Sequence, residues 1–385
     1  MKSKIGLQLL VTTNKKTSLF QKHVDENARI VDFGGWDMPV QYEGILKEVN
    51  HVRSKAGMFD VSHMGRVNIT GKDSESFLNR VLSFNTKKLK PGRIKYGVIC
   101  NKNGGIIDDC VTLRKNETDF LIIPNASNTD LVLNWFNQIL VSDKYQTSID
   151  TLKWTNIQIE NITATTAMIA IQGPESENKL SNILQTDLSK IKYFGSIKIK
   201  FQNQELIICR TGYTGEDGFE VITPVDFATS LWDLLKKSGV HPCGLGSRDI
   251  LRLEAGLLLH GNDMNSNTNP FEVGLGKFLD LSRLNYVACD SLKNIKLNEL
   301  TKILVGFEME DKGIPRHGYK IKHKNEIIGE VTSGGVSPTL DKIIGIGYIS
   351  KEFSSLETKI VIEIRNKNLS AKITKIPFYT RRKNV

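Results

Sequence analysis

The last hundred residues constrain the fold most. Strand-like alternations at Ile303–Glu308, Ile327–Thr332, Ile344–Ile349 and Lys359–Ile364 meet at Gly, Pro and Asn turns. A period of two puts successive side chains on opposite faces, which suits a half-buried strand and not a helix. Runs this short, joined by turn residues, predict a small antiparallel barrel or sandwich. Ahead of them the pattern is mixed. Helical spacing is read at Ile45–Lys55, Ser74–Leu82, Asn125–Leu140, Ala228–Ser238 and Ser247–Leu259. Strands are read near Arg66–Thr70, Tyr96–Cys100, Cys110–Arg114, Phe120–Ile123, Ala167–Ile171, Gln204–Cys209 and Phe219–Thr223. The chain is therefore α+β, with Asn285–Asn298 leading into a C-terminal β unit.

A chain of 385 residues has room for two or three domains. No stretch approaches the ~18 uncharged apolar residues of a membrane helix, so no membrane role is expected. The five cysteines (Cys100, Cys110, Cys209, Cys243, Cys289) are scattered and form no CxxC pair, against both a disulfide framework and a zinc ribbon. No HExxH or clustered Cys/His is present either, so no metal is expected. Lys and Arg number 52 against 42 Asp and Glu, a net charge of +10. They are dispersed without a nucleic-acid motif, and a basic surface suits an anionic ligand or an acidic partner equally well. The basic segment Met1–Lys16 lacks the apolar core of a secretory signal and is read as a short leader on a cytoplasmic protein.

Three stretches could carry chemistry. Asn101–Gly105 marks a hairpin, with the strand restarting at Ile106. Alternation sends Asp108 and Asp109 to opposite faces, so one carboxylate faces inward where burial would tune it. A solvated turn acid is the commoner outcome for such a pair, but Ile106, Ile107 and Val111 flank it with apolar residues. The turn Gly212–Gly218 has Arg210 before it and Glu220 after it. It lacks the Lys-Ser/Thr of a P-loop, and an acid inside Phe219-Glu220-Val221-Ile222 needs a partner such as a ligand N–H pair. In Cys243–Gly256, Ser247 can cap a helix that places Arg248 and Arg252 on one face. A surface ion-pair ladder with Asp249 or Glu254 explains that spacing as well as ligand binding does. No GxSxG elbow or Ser-His-Asp set appears.

Taken in order, Phe33–Pro39, Phe59–Gly65, Asn103–Asp109, Ile171–Pro174, Arg210–Glu220, Gly244–Gly256, Asn267–Gly274, Gly334–Leu340 and Pro377–Tyr379 resemble the aminomethyltransferase, or T-protein, family of the glycine cleavage system. The resemblance runs from Lys16 nearly to the end, and the ordered set is specific where no single motif is. It implies a three-domain, cloverleaf-like α+β architecture with a C-terminal antiparallel barrel-like domain and tetrahydrofolate in a central channel. The expected division is 1–65 with 156–280, then 66–155, then 285–385. The implied reaction takes an aminomethyl group from the lipoyl arm of H-protein. It yields 5,10-methylenetetrahydrofolate and ammonia.

By motif position, the family's essential aspartate falls on Asp109, near the folate N10. Met64, Tyr96, Asn125, Tyr193, Tyr213, Glu220 and Arg248 fall on folate-lining positions, with Glu220 suited to the pterin edge. A carboxylate beside N10 stabilises positive charge as ammonia leaves. Asp108, sent to the other face, is expected to tolerate replacement. Cys110 and His260 depart from the usual aliphatic and Tyr, and the basic end Arg381–Lys383 suits either a folate tail or H-protein. The implied partners are lipoylated H-protein and folate, without nucleic acid. The compartment is the cytoplasm, or the mitochondrial matrix in a eukaryote. The rival readings are a folate-dependent demethylase and a non-enzymatic folate-binding factor. Relatives of the second kind tend to lack the acid pair and the full Gly-Tyr-Thr-Gly-Glu turn.

Overall fold

A computed structural model of the chain describes residues 14–141 and 154–381. Most of the leader segment, and Arg382 and Lys383 of the basic end, lie outside the described residues. The C-terminal alternation closes on itself. Lys302–Met309, Lys342–Ser350, Glu326–Ser337, Lys320–His323, Lys359–Ile364 and Lys367–Thr374 follow one another around a closed barrel. Every neighbouring pair is antiparallel. Phe307, Ile321, Val331, Ile349, Ile362 and Ile373 fill it. The choice between barrel and sandwich is settled by the two strands not read from sequence. Lys320–His323 is only four residues long, and Lys367–Thr374 carries too few apolar residues to stand out.

A six-stranded sheet runs in the order Ser196–Phe201, Gln204–Cys209, Gly218–Pro224, Thr166–Gln172, Gly57–Asp60 and His241–Pro242. Along Thr166–Gln172, Ala167, Ile169 and Ile171 pack with Leu180, Leu231, Trp232 and Leu235 of two helices, Ser176–Leu184 and Ala228–Lys237. Met168 and Ala170 point the other way, into a cluster with Val49, Leu113, Leu121, Ile123 and Leu251. A strand covered on both faces reads as a continuous apolar run, which is why alternation does not show there.

The five-stranded sheet has the order Ile94–Cys100, Ile106–Arg114, Asp119–Ile123, Val67–Thr70, Gln158–Asn161. Helices Ser74–Val81 and Thr129–Val141 cover one face through Phe77, Leu78, Val132 and Phe136. Its other face meets the six-stranded sheet through Ile94, Val111 and Leu113. A three-stranded sheet, Lys15–Lys16, Trp36–Gln41 and Arg29–Phe33, completes the set.

The helix expected at Ser247–Leu259 spans Leu245–Glu254, and Gly256 follows it at φ +64°. Ser247 is therefore inside it and caps nothing. Its hydroxyl donates to Glu48 Oε2 at 3.0 Å, and the same oxygen accepts from Gly244 N–H at 2.9 Å, so a buried acid takes the capping part. Nor do Arg248 and Arg252 work as a pair. Arg252 is 1% exposed and donates to Asp249 (2.8 Å), Asp263 (2.6 Å) and Ser333 (2.7 Å). Glu254 likewise accepts from Arg53 (2.6 Å), Ser337 (2.5 Å) and Thr339 (2.9 Å). The hydroxyls of Ser333, Ser337 and Thr339 tie these two buried ion pairs, and with them the helix, to the barrel. Removing one member of such a pair costs about 3–5 kcal/mol, because the other is left charged and dry.

Candidate active site

The acid pair sits on the second strand of a hairpin. Gly105 makes the return possible, since a Cβ there would lie 1.8 Å from Ser266 O. The ladder slips by one residue at Ile107: Ile99 faces Asp108, while Cys100 faces Ile106. Beyond the slip, alternation holds. Alternation still does not bring Asp108 to solvent, because both faces of this sheet are covered; Asp109 keeps partial exposure. Asp108 is fully buried and accepts from Asn125 N–H (2.9 Å), Asn125 Nδ2 (2.8 Å) and Asn128 Nδ2 (2.7 Å). Asp109 accepts from the Tyr96 hydroxyl (2.9 Å) and Asn125 Nδ2 (2.9 Å). The outward, tolerant Asp108 expected from sequence is thus the more buried acid of the two. Asn125 reaches both carboxylates from the end of Asp119–Ile123. Burial raises both acids above the ordinary carboxylate range; the charge of Asp109 raises Asp108 further, while the hydrogen bonds from Tyr96 and Asn125 pull Asp109 back.

Tyr213, Glu220 and Arg248 form a second group. Gly212 lets the glycine turn lie over Gln172, whose carboxamide bonds Thr211 O (3.1 Å) and the Thr214 hydroxyl (2.8 Å). That fixes Tyr213, whose hydroxyl donates to Leu258 O and whose ring lies 4.8 Å from the Arg248 guanidinium. Arg248 Nη1 is buried with no hydrogen-bond partner. Glu220 is 8% exposed; Oε2 accepts from the Thr211 hydroxyl at 2.6 Å, and Oε1 has no partner among the described residues. The groups adjoin: the charge of Asp109 acts on Tyr213, and that of Glu220 on Arg248. Met64, partly buried, packs against the apolar cluster that includes Val61, Ile123, Cys209, Ile222 and Leu251. Tyr193 stands apart. It is 50% exposed, edge-on to Phe194, with the Arg381 guanidinium 5.4 Å from its ring.

The arrangement sets two hydrogen-bonded acids beside a guanidinium with one unpartnered nitrogen and a half-free carboxylate. Similarity gives the family. Residues 19–283 match the GCVT N-terminal domain, and residues 302–380 match the glycine cleavage T-protein C-terminal barrel domain. The chain belongs to the glycine cleavage T-protein family. Among similar T-proteins, the aminomethyltransferase of Thermoanaerobacter sp. (strain X514) is 40% identical over 370 residues, 95% of this chain and 97% of that one. That of Geobacillus sp. (strain WCH70) is 40% identical over 375 residues, 96% of this chain and 100% of the relative. The crystal structure of the glycine cleavage system aminomethyltransferase T from Bartonella henselae superposes with a TM-score of 0.88 at 29% identity, covering 96% of this chain and 99% of that one.

Sequence reasoning missed Asn128, Thr211 and Phe278 of this candidate site. Phe278 packs edge-on to Tyr96 at 4.8 Å. Asn128 lies three residues after Asn125 at a helix start, a spacing that puts both on one face. His63, also missed, is 3% exposed and lies edge-on to Phe33. Burial, with the charges of Arg248 and Arg66, lowers its pKa to about 4. The unfolded chain therefore binds a proton between pH 6.5 and 4 that the folded one refuses, so stability falls as pH falls through that window. At ~1.4 kcal/mol per unit this amounts to about 3 kcal/mol. Urea unfolding at pH 7 and 4.5 should show His63→Leu losing about 2–3 kcal/mol less than the parent, and equal losses would mean the imidazole is not held neutral.

Proposed function

We infer that this chain is the aminomethyltransferase of a glycine cleavage system. It moves the methylene carbon of an aminomethyl group on the lipoyl arm of H-protein to tetrahydrofolate, with release of ammonia. The observation that carries this is family similarity spanning both the N-terminal unit and the barrel.

The site chemistry supports it. A folate presents a flat ring system with an N–H edge and a carboxylate tail. Glu220 Oε1 is an acceptor for that edge, and the unpartnered Arg248 Nη1 is a donor for a ring or amide oxygen. Tyr213 and Met64 supply an apolar wall, and Tyr193 with Arg381 stands at the exposed end, where an anionic tail would leave. Bound tetrahydrofolate supplies the nitrogen that accepts the carbon. Asp109, held by Tyr96 and Asn125, supplies a fixed negative potential for the positive charge that develops as ammonia departs. Its donors are in place before the reaction, so little reorganisation is needed when charge appears.

For the domains we propose the division expected from sequence, with the second unit running to Asn161, because Gln158–Asn161 pairs with Val67–Thr70. No helix among the described residues is long and apolar enough to cross a membrane, and we place the protein in the cytoplasm.

The test is turnover of aminomethylated H-protein with tetrahydrofolate, followed by ammonia release. A carrier protein must dock, and a chain with +10 net charge should be steered to an acidic one. kcat/KM should fall steeply above about 0.1 M salt, where the Debye length is near 10 Å. Free aminomethyl-dihydrolipoamide should react more slowly and almost without salt dependence. Failure to release ammonia sinks the activity, and a salt-insensitive rate with H-protein sinks the steering.

A further inference from the structure

His260 lies in the loop that follows the helix Leu245–Glu254, and its surroundings give it a definite task. Its loop is pinned from two sides: Asp263 accepts from Leu259 N–H (2.9 Å) and Arg252 (2.6 Å), and Gly261 N–H donates to Met264 O (2.9 Å). The ring therefore sits on a rigid support. Nδ1 is 2.8 Å from Asn128 Nδ2, and Nε2 is 3.2 Å from Ile106 O. Asn128 Nδ2 also reaches Asp108 Oδ1 at 2.7 Å.

An amide nitrogen has two hydrogens and no acceptor. One goes to the Asp108 carboxylate, so the other goes to His260 Nδ1, which must accept. The ring proton then sits on Nε2 and donates to the Ile106 carbonyl. The opposite orientation of the Asn128 amide would set its oxygen against both the Asp108 carboxylate and the Nδ1 lone pair. His260 thus fixes which way Asn128 points.

The consequence runs along a chain of contacts. Asp108 Oδ1 accepts from Asn128 and Asn125 together, and the same Asn125 nitrogen holds Asp109 Oδ1 at 2.9 Å. With Asn128 locked, Asn125 stays between the two acids. With Asn128 free to turn, Asp108 keeps Asn125 as its remaining side-chain donor, and the hold on Asp109 slackens. We propose that His260 is a positioning residue for aminomethyl transfer, acting through Asn128 and Asp108 to fix the Asn125 clamp on Asp109.

This rests on the functional reading above, and the experiment separates the two. Parent, His260→Ala, His260→Asn and His260→Gln are assayed with aminomethylated H-protein and tetrahydrofolate, at a temperature where circular dichroism shows each folded. Asn places an acceptor oxygen near the position of Nδ1, whereas Gln places its amide near Nε2. Misplacement by about 1 Å at a reacting centre costs about 100-fold, so a smaller shift is expected to cost roughly 10- to 100-fold. His260→Ala should lower kcat by about that factor with both KM values within about twofold. His260→Asn should recover most of kcat and His260→Gln should not. Unchanged kcat in His260→Ala, or a folded His260→Asn no better than Ala, overturns the inference. An inactive parent overturns the functional reading instead.

Discussion

Asp109→Asn is expected to abolish measurable turnover while tetrahydrofolate affinity stays within about tenfold, roughly 1.4 kcal/mol. The substitution keeps the shape and removes the charge. In the native site both side-chain contacts of Asp109 are donors, Tyr96 and Asn125. An amide there would keep one acceptor and turn an N–H group toward a neighbour that also donates. Loss of a single preorganised electrostatic contact at developing charge costs about 10²–10³ in kcat, and loss of the full negative charge should exceed that. Asp108→Asn separates the two roles. Asp108 is fully buried and accepts three hydrogen bonds, so its replacement should lower the thermal midpoint as well as kcat, whereas Asp109→Asn should leave the midpoint nearly unchanged. Rapid-quench turnover with calorimetric unfolding decides it. A fast, stable Asp108→Asn beside a dead Asp109→Asn would restore the tolerant Asp108 that alternation alone suggests.

That difference shows how far sequence can carry a site. Alternation correctly separates Asp108 from Asp109, but it cannot say that both faces of Ile106–Arg114 are covered. One face is covered by the turn and helix that start at Ala126, and the other by a sheet whose strands Gly57–Asp60 and Thr166–Gln172 lie more than forty residues away in sequence. Burial of that second kind is long-range packing, which local periodicity does not encode. The barrel is legible for the opposite reason: its strands are consecutive, half-buried and joined by short turns, so pattern and topology coincide. Arg248 and Arg252 illustrate the same limit. Their spacing puts them near one face of the helix, yet one reaches Tyr213 and the other a buried aspartate beside the barrel. Charge spacing names the residues that need partners; only the tertiary fold assigns them. His260 went unassigned because its partner, Asn128, lies 132 positions away.

Glu220→Gln should weaken tetrahydrofolate binding by at least about thirtyfold, with kcat at saturation changed much less. Glu220 lies on Gly218–Pro224, paired with Cys209 on one side and Ala170 on the other, so its backbone is fixed by the centre of a sheet. One carboxylate oxygen is taken by Thr211. The other is free to accept from a ligand. Gln keeps the bond to Thr211 in one orientation but then offers an N–H where the ligand also donates. Truncating one side of a buried, charge-assisted pair typically costs ~2–5 kcal/mol, about 30- to 5000-fold in Kd. Because the contact lies at the binding edge and away from Asp109, it is made before and during the reaction alike, so the loss should appear in Kd and KM while kcat largely survives. Calorimetric titration of Glu220→Gln with tetrahydrofolate measures this. An unchanged Kd would show that Glu220 is a core acid, satisfied by Thr211 and Arg248, and that the folate edge is recognised elsewhere.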